Sequence, residues 1–518
     1  MPSGQMKIQD GGTSLARSIA WNLSGESVPI LAALVTIPII IRGLGADRFG
    51  LLSIAWSLIG YLSVFDLGLG RALTKHLSDR LAVGGRDGVP SLFWTGLGLM
   101  AILGLVAGSF EIALTPWLVA DALTIPIQLH REALASFYLV GLCLPVVLSS
   151  AACRGALAAH QRFDLINRVR VPMGALSFIG PAVAVTFARS LTVVVATITF
   201  GRATECLAYF WMCLKVVPEL RQGIAPRREH LSPLLRFGSW VMLSQFLSQF
   251  ALYADRFFIG HLVSMAAVGI YSLPCDLLSR IWIIPSGISA VLFPAFAQRL
   301  ARNPEGATGL LERGIKLTFF MVFPVCLGVV IFAHDGLTAW MGPNFPAESA
   351  TVAQWLTIGI LMNSVANSPF TLLQGAHRPD LAATADLLET PVYLLALYLA
   401  VERWGVLGAA VVWSARFLLF AIILFALLPK VLSAPPIRAY LCATLMVLTA
   451  FVAMAGATVL PSVLWWRLGY FFAASALAAG AGWALVLSHA ERAQVFYLVL
   501  RRNPAGFAEE ASRATIEI

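Results

Sequence analysis

The sequence predicts an all-α polytopic membrane protein of about fourteen transmembrane helices, and three observations lead there. Of its 518 residues, 58% are hydrophobic and only 12% charged, with a mean hydropathy of +0.81. That is more apolar and less charged than a soluble domain can be. Apolar runs of roughly 20 residues, each long enough to cross a hydrocarbon core as a helix, recur along the whole chain. The basic residues, finally, alternate from loop to loop in the way that membrane topology demands.

In order, the spans are expected near 18–42, 48–70, 92–118, 133–153, 171–189, 191–216, 238–262, 266–293, 317–334, 351–375, 384–401, 404–428, 438–459 and 464–487. The first apolar stretch is too long for a signal peptide, carries Asn22, Ser24 and Glu26, and lacks a small-residue cleavage site, so it reads as a retained span. Connections are short, and the longest, 217–237, has no room for a folded domain. The N-terminal tail, alternate loops and the C-terminal tail hold 26 of the 36 Lys and Arg residues, against 6 in the opposite loops. Both termini are therefore expected in the cytoplasm. The net charge of +9 is mostly this topology signal, and no nucleic-acid partner is expected.

Several kinds of chemistry find no support. The seven cysteines lie in or at the ends of apolar spans without disulfide or metal spacing. The eight histidines sit in loops or at span ends, and no Walker A pattern is present. No cofactor and no metal are expected.

The chain also matches itself at an offset of 219 residues. Arg17 aligns with Arg236, Trp21 with Trp240, Ala32 with Ala251, Gly50 with Gly269, Ser53 with Ser272 and Leu58 with Leu277. In both copies Arg-x-x-x-Trp precedes a span, and a short link carrying the glycine leads into the next. Six spans per copy preserve orientation, so the pattern describes a parallel duplication. The expected organisation is a cytoplasmic tail at 1–17, an N-lobe at 18–216, a linker at 217–237 and a C-lobe at 238–428. A C-terminal helix pair at 429–487 and a cytoplasmic tail at 488–518 complete it.

These stretches carry a family resemblance. Asn22 and Gly25 early in span one, the link RGLGADRFGLLS, FDLGLGRALTKH closing span two, and DRFFIGHLVSMAAVGIYSLP in the second half look like the Wzx-type polysaccharide-export branch of the multidrug/oligosaccharidyl-lipid/polysaccharide flippase superfamily. The resemblance covers essentially the whole chain. It implies two six-helix lobes around a central cavity, in the inner membrane of a bacterium, moving undecaprenyl-pyrophosphate-linked oligosaccharide between leaflets. A polysaccharide polymerase and export machinery are the partners it implies, beside membrane lipids.

Charges inside the spans supply the candidate site. A charged residue at a helix centre costs about 2.5–3.5 kcal/mol on insertion scales, so it normally faces a cavity or a partner. Arg202, Arg256, Arg280 and Arg416 are all intramembrane. Arg202 and Glu205 at i, i+3 and Asp276 and Arg280 at i, i+4 can each pair on one helix face. Asp255 and Arg256 are adjacent and point about 100° apart, so each needs another partner. Arg416 has no acidic residue within four positions. Arg256 and Arg416 are expected to face a cavity, with an interhelical salt bridge as the main competitor.

Guanidinium suits a pyrophosphate head group better than a cationic drug. The substrate-binding candidates are Arg256, Arg416, Arg280, Arg202, Asp255, Asn363 and Gln249, and Gln245, Ser364 and Asn367 are further candidate sugar contacts. Glu26, Asp66 and Asp276 are the ion-coupling candidates. The expected function is a flippase of lipid-linked oligosaccharide working by alternating access without covalent chemistry. The alternatives are a cation-coupled multidrug or lipid II exporter of the same fold, and a membrane glycan polymerase or ligase. Reporter fusions after Arg502 and within 335–348 are expected to mark opposite sides of the membrane, the first cytoplasmic; the same side for both would defeat the span assignment.

Overall fold

The computed structural model describes residues 11–62, 69–82, 88–223, 226–227, 229, 231–232, 253–302, 304–343, 345–432, 435–461, 463–481 and 483. Among them there is no strand. The helices are α1 (Gly11–Leu44), α2 (Ala46–Leu62), α3 (Leu69–Ala82), α4 (Val89–Trp117), α5 (His130–Ala159), α6 (Phe163–Phe187) and α7 (Leu191–Val216). A helix at 253–262 precedes α8 (Met265–Leu278), α9 (Ile283–Arg302), α10 (Pro304–Met341), α11 (Glu348–Gly375), α12 (Pro379–Leu427), α13 (Ile437–Thr458) and α14 (Leu464–Ala481). Nine helical stretches among the described residues are long and apolar enough to cross a membrane. The chain is a multi-pass membrane protein.

One of these stretches holds two of the expected spans. α12 runs for 49 residues but breaks at Gly405, whose φ of 58° lies in the left-handed region that favours glycine. Three residues on, a Cβ on Gly408 would stand 2.1 Å from the Ala400 carbonyl oxygen. Two glycines thus let the halves of α12 fold back on each other at close range.

The stretch after span two, read from the sequence as a cytoplasmic loop at 71–89, is instead largely helical. Leu69, Ala72, Leu73 and Leu77 recur at helical spacing and are buried, while Arg71, Lys75 and Asp79 are exposed. A search for long apolar runs passes over such a helix because its apolar residues cover only one face.

The chain forms two compact units. The first comprises Met1–Leu277, Leu337–Val352 and Ala383–Arg416. Within it α4 and α5 pack through small residues: a Cβ on Gly104 would meet the Pro145 backbone at 2.4 Å, and one on Gly108 the Gly141 carbonyl oxygen at 2.3 Å. Such contacts let backbones approach where the bilayer provides no hydrophobic drive for helices to associate. The segment 337–352 is tied down by hydrogen bonds from Trp340 Nε1 to the Leu34 carbonyl (2.5 Å) and from Ser349 Oγ to the Ile270 carbonyl (2.9 Å).

The tightest crossing in this unit joins the two halves of the duplication. A Cβ on Gly50 would lie 1.8 Å from the Met265 carbonyl oxygen, and one on Gly269 would meet Phe49 Cδ1 at 3.1 Å and the Gly50 nitrogen at 3.6 Å. Glycines 219 residues apart in sequence therefore lie against each other, α2 on α8.

The second unit comprises Leu278–Gly336, Ala353–Ala382 and Phe417–Ile518. Its core includes Ala366, Leu373, Ala382, Ala421 and Leu424. The stacked rings of Phe319 and Phe323, 5.1 Å apart, pack within α10.

The α2–α8 crossing yields a direct test. Gly50→Ala places a methyl group into a backbone oxygen and is expected to cost about 1–3 kcal/mol, the usual range for overpacking. Gly98→Ala, on α4 with nothing within 4 Å of the added carbon, is the matched control. Thermal unfolding in detergent should show a lowered midpoint for the first and none for the second.

Candidate functional site

Three of the four intramembrane arginines, Arg202, Arg256 and Arg416, fall into clusters of opposite charge balance within the first unit. Arg256, on the 253–262 helix, is 4% exposed. Its Nη1 donates to Ser57 Oγ on α2 at 2.7 Å, and its Nη2 donates to Asp276 Oδ1 on α8 at 2.5 Å. Ser57 and Asp276 are 219 residues apart, so the guanidinium bridges one pair of duplicated positions, two helical turns from the glycine crossing. Its neighbour Asp255 is fully buried and accepts from the Tyr271 hydroxyl at 2.5 Å and from the Arg256 amide at 2.8 Å.

Arg416 is likewise buried, at 9% exposure. Its Nε donates to Glu389 Oε1 at 2.5 Å, its Nη2 lies 3.9 Å from Asp386 Oδ1, and its guanidinium sits 4.7 Å from the centre of the Tyr393 ring. The Gly405 break makes this possible, because it folds Arg416 back against residues 27 positions earlier. The expectation that Arg256 and Arg416 face a cavity therefore does not describe this arrangement; the competing interhelical pairing does. The reason is that each arginine meets carboxylates from elements brought together by tertiary packing, Asp276 in one case and Glu389 with Asp386 in the other.

The expected Asp276–Arg280 pair is also replaced. Asp276 turns to Arg256 instead, and Arg280 falls in the 3-10 turn Ser279–Trp282, exposed. That turn breaks the α-helical spacing on which an i, i+4 pair depends.

The third cluster has the opposite balance. Arg202 and Glu205 pair on α7 as the i, i+3 spacing predicts, with Nη1 2.9 Å from Oε2. Arg154 on α5 brings its Nη1 to 3.9 Å from Oε1 of the same glutamate. The glutamate side chain is 6% exposed, those of Arg202 and Arg154 37% and 39%. Here two arginines share one acid, whereas Arg256 and Arg416 each meet acids in excess. Arg154 is absent from the sequence-based candidates because it lies near the end of span four, where a basic residue reads as a topology signal.

The remaining candidates separate. Asn363 is half-buried on α11; Ser364 bonds its own helix through the Ile360 carbonyl at 2.7 Å. Asn367 accepts hydrogen bonds from Ser289 on α9 and from Thr371, so it joins helices. Asp66, Gln245 and Gln249 lie outside the described residues, as does the Glu26 side chain on α1. Glu111 on α4 was not singled out as a site; it is 3% exposed, and its Oε1 accepts from Thr115 Oγ1 at 3.2 Å. All seven cysteines are free of disulfides.

The class of this multi-pass helical bundle, a transporter, comes from comparison with known proteins. The chain belongs to the polysaccharide biosynthesis protein family, whose model matches residues 15–300; the MatE model matches 241–399. It is 28% identical to a protein of Shigella flexneri described as "Putative O-antigen transporter", over 79% of this chain and 97% of that one. It is 20% identical to the lipopolysaccharide biosynthesis protein WzxC of Escherichia coli K12, over 78% and 77% of the two chains. Among solved structures, an inward-facing MATE family transporter of the MOP superfamily superimposes with a TM-score of 0.66 at 13% identity, covering 84% of this chain and 98% of that one. The lipid II flippase MurJ, inward closed, does so with 0.62 at 12% identity, covering 91% and 100%. At these identities the superpositions show a shared fold.

The geometry separates two kinds of arginine. Arg256→Ala removes a buried guanidinium from Ser57 and Asp276 and leaves the fully buried Asp255 without the positive charge beside it, and is expected to cost about 3–5 kcal/mol. Arg202→Ala removes a guanidinium that is itself more than a third exposed and leaves Arg154 beside the buried Glu205, so it should cost less, about 1 kcal/mol. Protein level and unfolding temperature of the two variants check this, and equal losses would contradict the division.

Proposed function

We propose that the protein is a flippase that carries a lipid-linked oligosaccharide from the inner to the outer leaflet of a bacterial inner membrane, by alternating access and without covalent chemistry. The observation that carries this reading is the match to the "Putative O-antigen transporter" along 97% of its length. The family membership and the transporter fold support it.

The cargo class fits the physics of the problem. A pyrophosphate-linked glycan carries charge and many hydroxyls, and an unpaired charge in hydrocarbon is prohibitively costly. Its isoprenoid tail is at home in the bilayer. A protein of this kind needs only a polar path for the head group, while the tail stays in lipid. O-antigen, capsule and exopolysaccharide repeat units all share this chemistry. The reading places both termini in the cytoplasm, with spans in 18–216 and 238–428 as the two lobes and 429–487 as an added helix pair. A polysaccharide polymerase and export machinery would act next on the delivered glycan.

The test uses purified protein in sealed vesicles loaded with lipid-linked oligosaccharide. The glycan in the inner leaflet should become accessible to an external glycan-modifying probe with its mass unchanged. Elongation, cleavage or ligation of the glycan would make the protein an enzyme. Movement of organic cations without the glycan would make it a drug exporter.

A further inference from the structure

We propose that Arg154 and Arg202, held by Glu205, form the subsite that receives the phosphoryl groups of the cargo. This deepens the flippase reading and rests on its cargo being an anionic lipid.

The argument starts from which way Arg202 points. At about 100° per residue, Phe200, Leu207 and Trp211 fall within roughly 40° of one another on α7. All three are large, apolar and exposed, at 75%, 69% and 54%, so they mark the lipid-facing stripe. Arg202 falls roughly 160° from the middle of that stripe. It lies about 17 Å from the start of α7 and about 21 Å from its end, counting 1.5 Å per residue, which is mid-membrane depth. A guanidinium that is more than a third exposed at that depth, on the face turned from lipid, is available to a polar ligand and not to acyl chains.

Charge balance supplies the second strand. A carboxylate that merely neutralised Arg202 would need no second arginine, yet Arg154 reaches the same glutamate from α5. Among the described residues no other carboxylate pairs with either arginine, which leaves a surplus of one positive charge. In the other two clusters the acids outnumber the arginines, with Asp255 and Asp276 about Arg256 and Glu389 and Asp386 about Arg416.

Hydrogen-bonding capacity supplies the third. Arg202 spends Nη1 on Glu205, while its Nε is buried without a partner. Guanidinium is charged at every accessible pH and presents parallel N–H donors matched to phosphoryl oxygens. Two of them on neighbouring helices, fixed by one buried acid, suit a diphosphate. Glu205 is then a positioning residue: it holds both side chains when no anion is bound and keeps the surplus charge small.

Binding, not transport, isolates this site. The full chain in phosphatidylcholine nanodiscs is titrated with farnesyl diphosphate, farnesyl glucuronide and farnesol, which share one tail and differ in head group. Wild type is expected to bind the diphosphate most tightly. Arg154→Ala and Arg202→Ala should each weaken diphosphate binding at least tenfold and leave farnesol unchanged, with Arg202→Lys intermediate because it keeps the charge and loses the fork. Arg378→Ala, at an exposed pair with Asp380, should match wild type. Unchanged diphosphate binding in both alanine variants would overturn the proposal, as would an equal loss for all three probes. Glucuronide binding as tight as diphosphate binding, and lost equally, would replace a phosphoryl site with a general carboxylate site. Transport of glycan by variants that bind diphosphate normally would defeat this inference alone; diphosphate binding by a wild type that moves no glycan would defeat the flippase reading alone.

Discussion

The arrangement of the first unit depends on a backbone crossing with no room for side chains, that of α2 on α8 at Gly50 and Gly269. In a bilayer, apolar side chains gain little by leaving lipid for one another, so close backbone contact and interhelical hydrogen bonds decide which helices associate. Here both are present. The Met265 carbonyl occupies the space a side chain on Gly50 would fill, and two turns along, Arg256 ties Ser57 to Asp276. Loss of Gly50 pushes the backbones apart, loss of Gly269 crowds the Phe49 ring, and loss of the arginine leaves Asp276 without its partner at the same place.

Electrostatics in this protein divide between holding and receiving. Arg256 and Arg416 are buried, the first bound by Asp276 of another helix and the second by Glu389 and Asp386 across the break in α12; such a pair resists removal of one partner far more than it adds to stability. Arg154 and Arg202 are half-exposed, share a single glutamate and keep donors in reserve. The first kind of arrangement specifies which helical segments meet. The second leaves one positive charge in surplus on half-exposed side chains, and the proposed phosphoryl subsite rests on that surplus.

The spans themselves were largely legible, because an apolar run of about 20 residues has few alternatives to a transmembrane helix. The pairing of Arg202 with Glu205 was legible too, since it lies within one turn of one helix. The duplication pointed to Gly50 and Gly269, and carried seven residues further along the same helices its register sets Ser57 opposite Asp276. Helix α3 was missed because its apolar residues form a stripe and not a run. Arg154 was missed because near a span end a basic residue has an ordinary explanation in topology.

What the sequence determined by itself was local: hydrophobic length, helical period, charge alternation between loops and the 219-residue repeat. Each depends only on residues a few positions apart, or on a register that needs no coordinates. Which arginine serves as a clamp and which remains open was decided by tertiary structure alone. Asp276 had two arginines within reach, and a 3-10 turn at Ser279–Trp282 gave it to Arg256. Arg416 had no nearby acid until the break at Gly405 folded α12 back to bring Glu389 and Asp386 beside it. A buried charge takes whatever partner the packing delivers, and sequence spacing carries no record of that delivery.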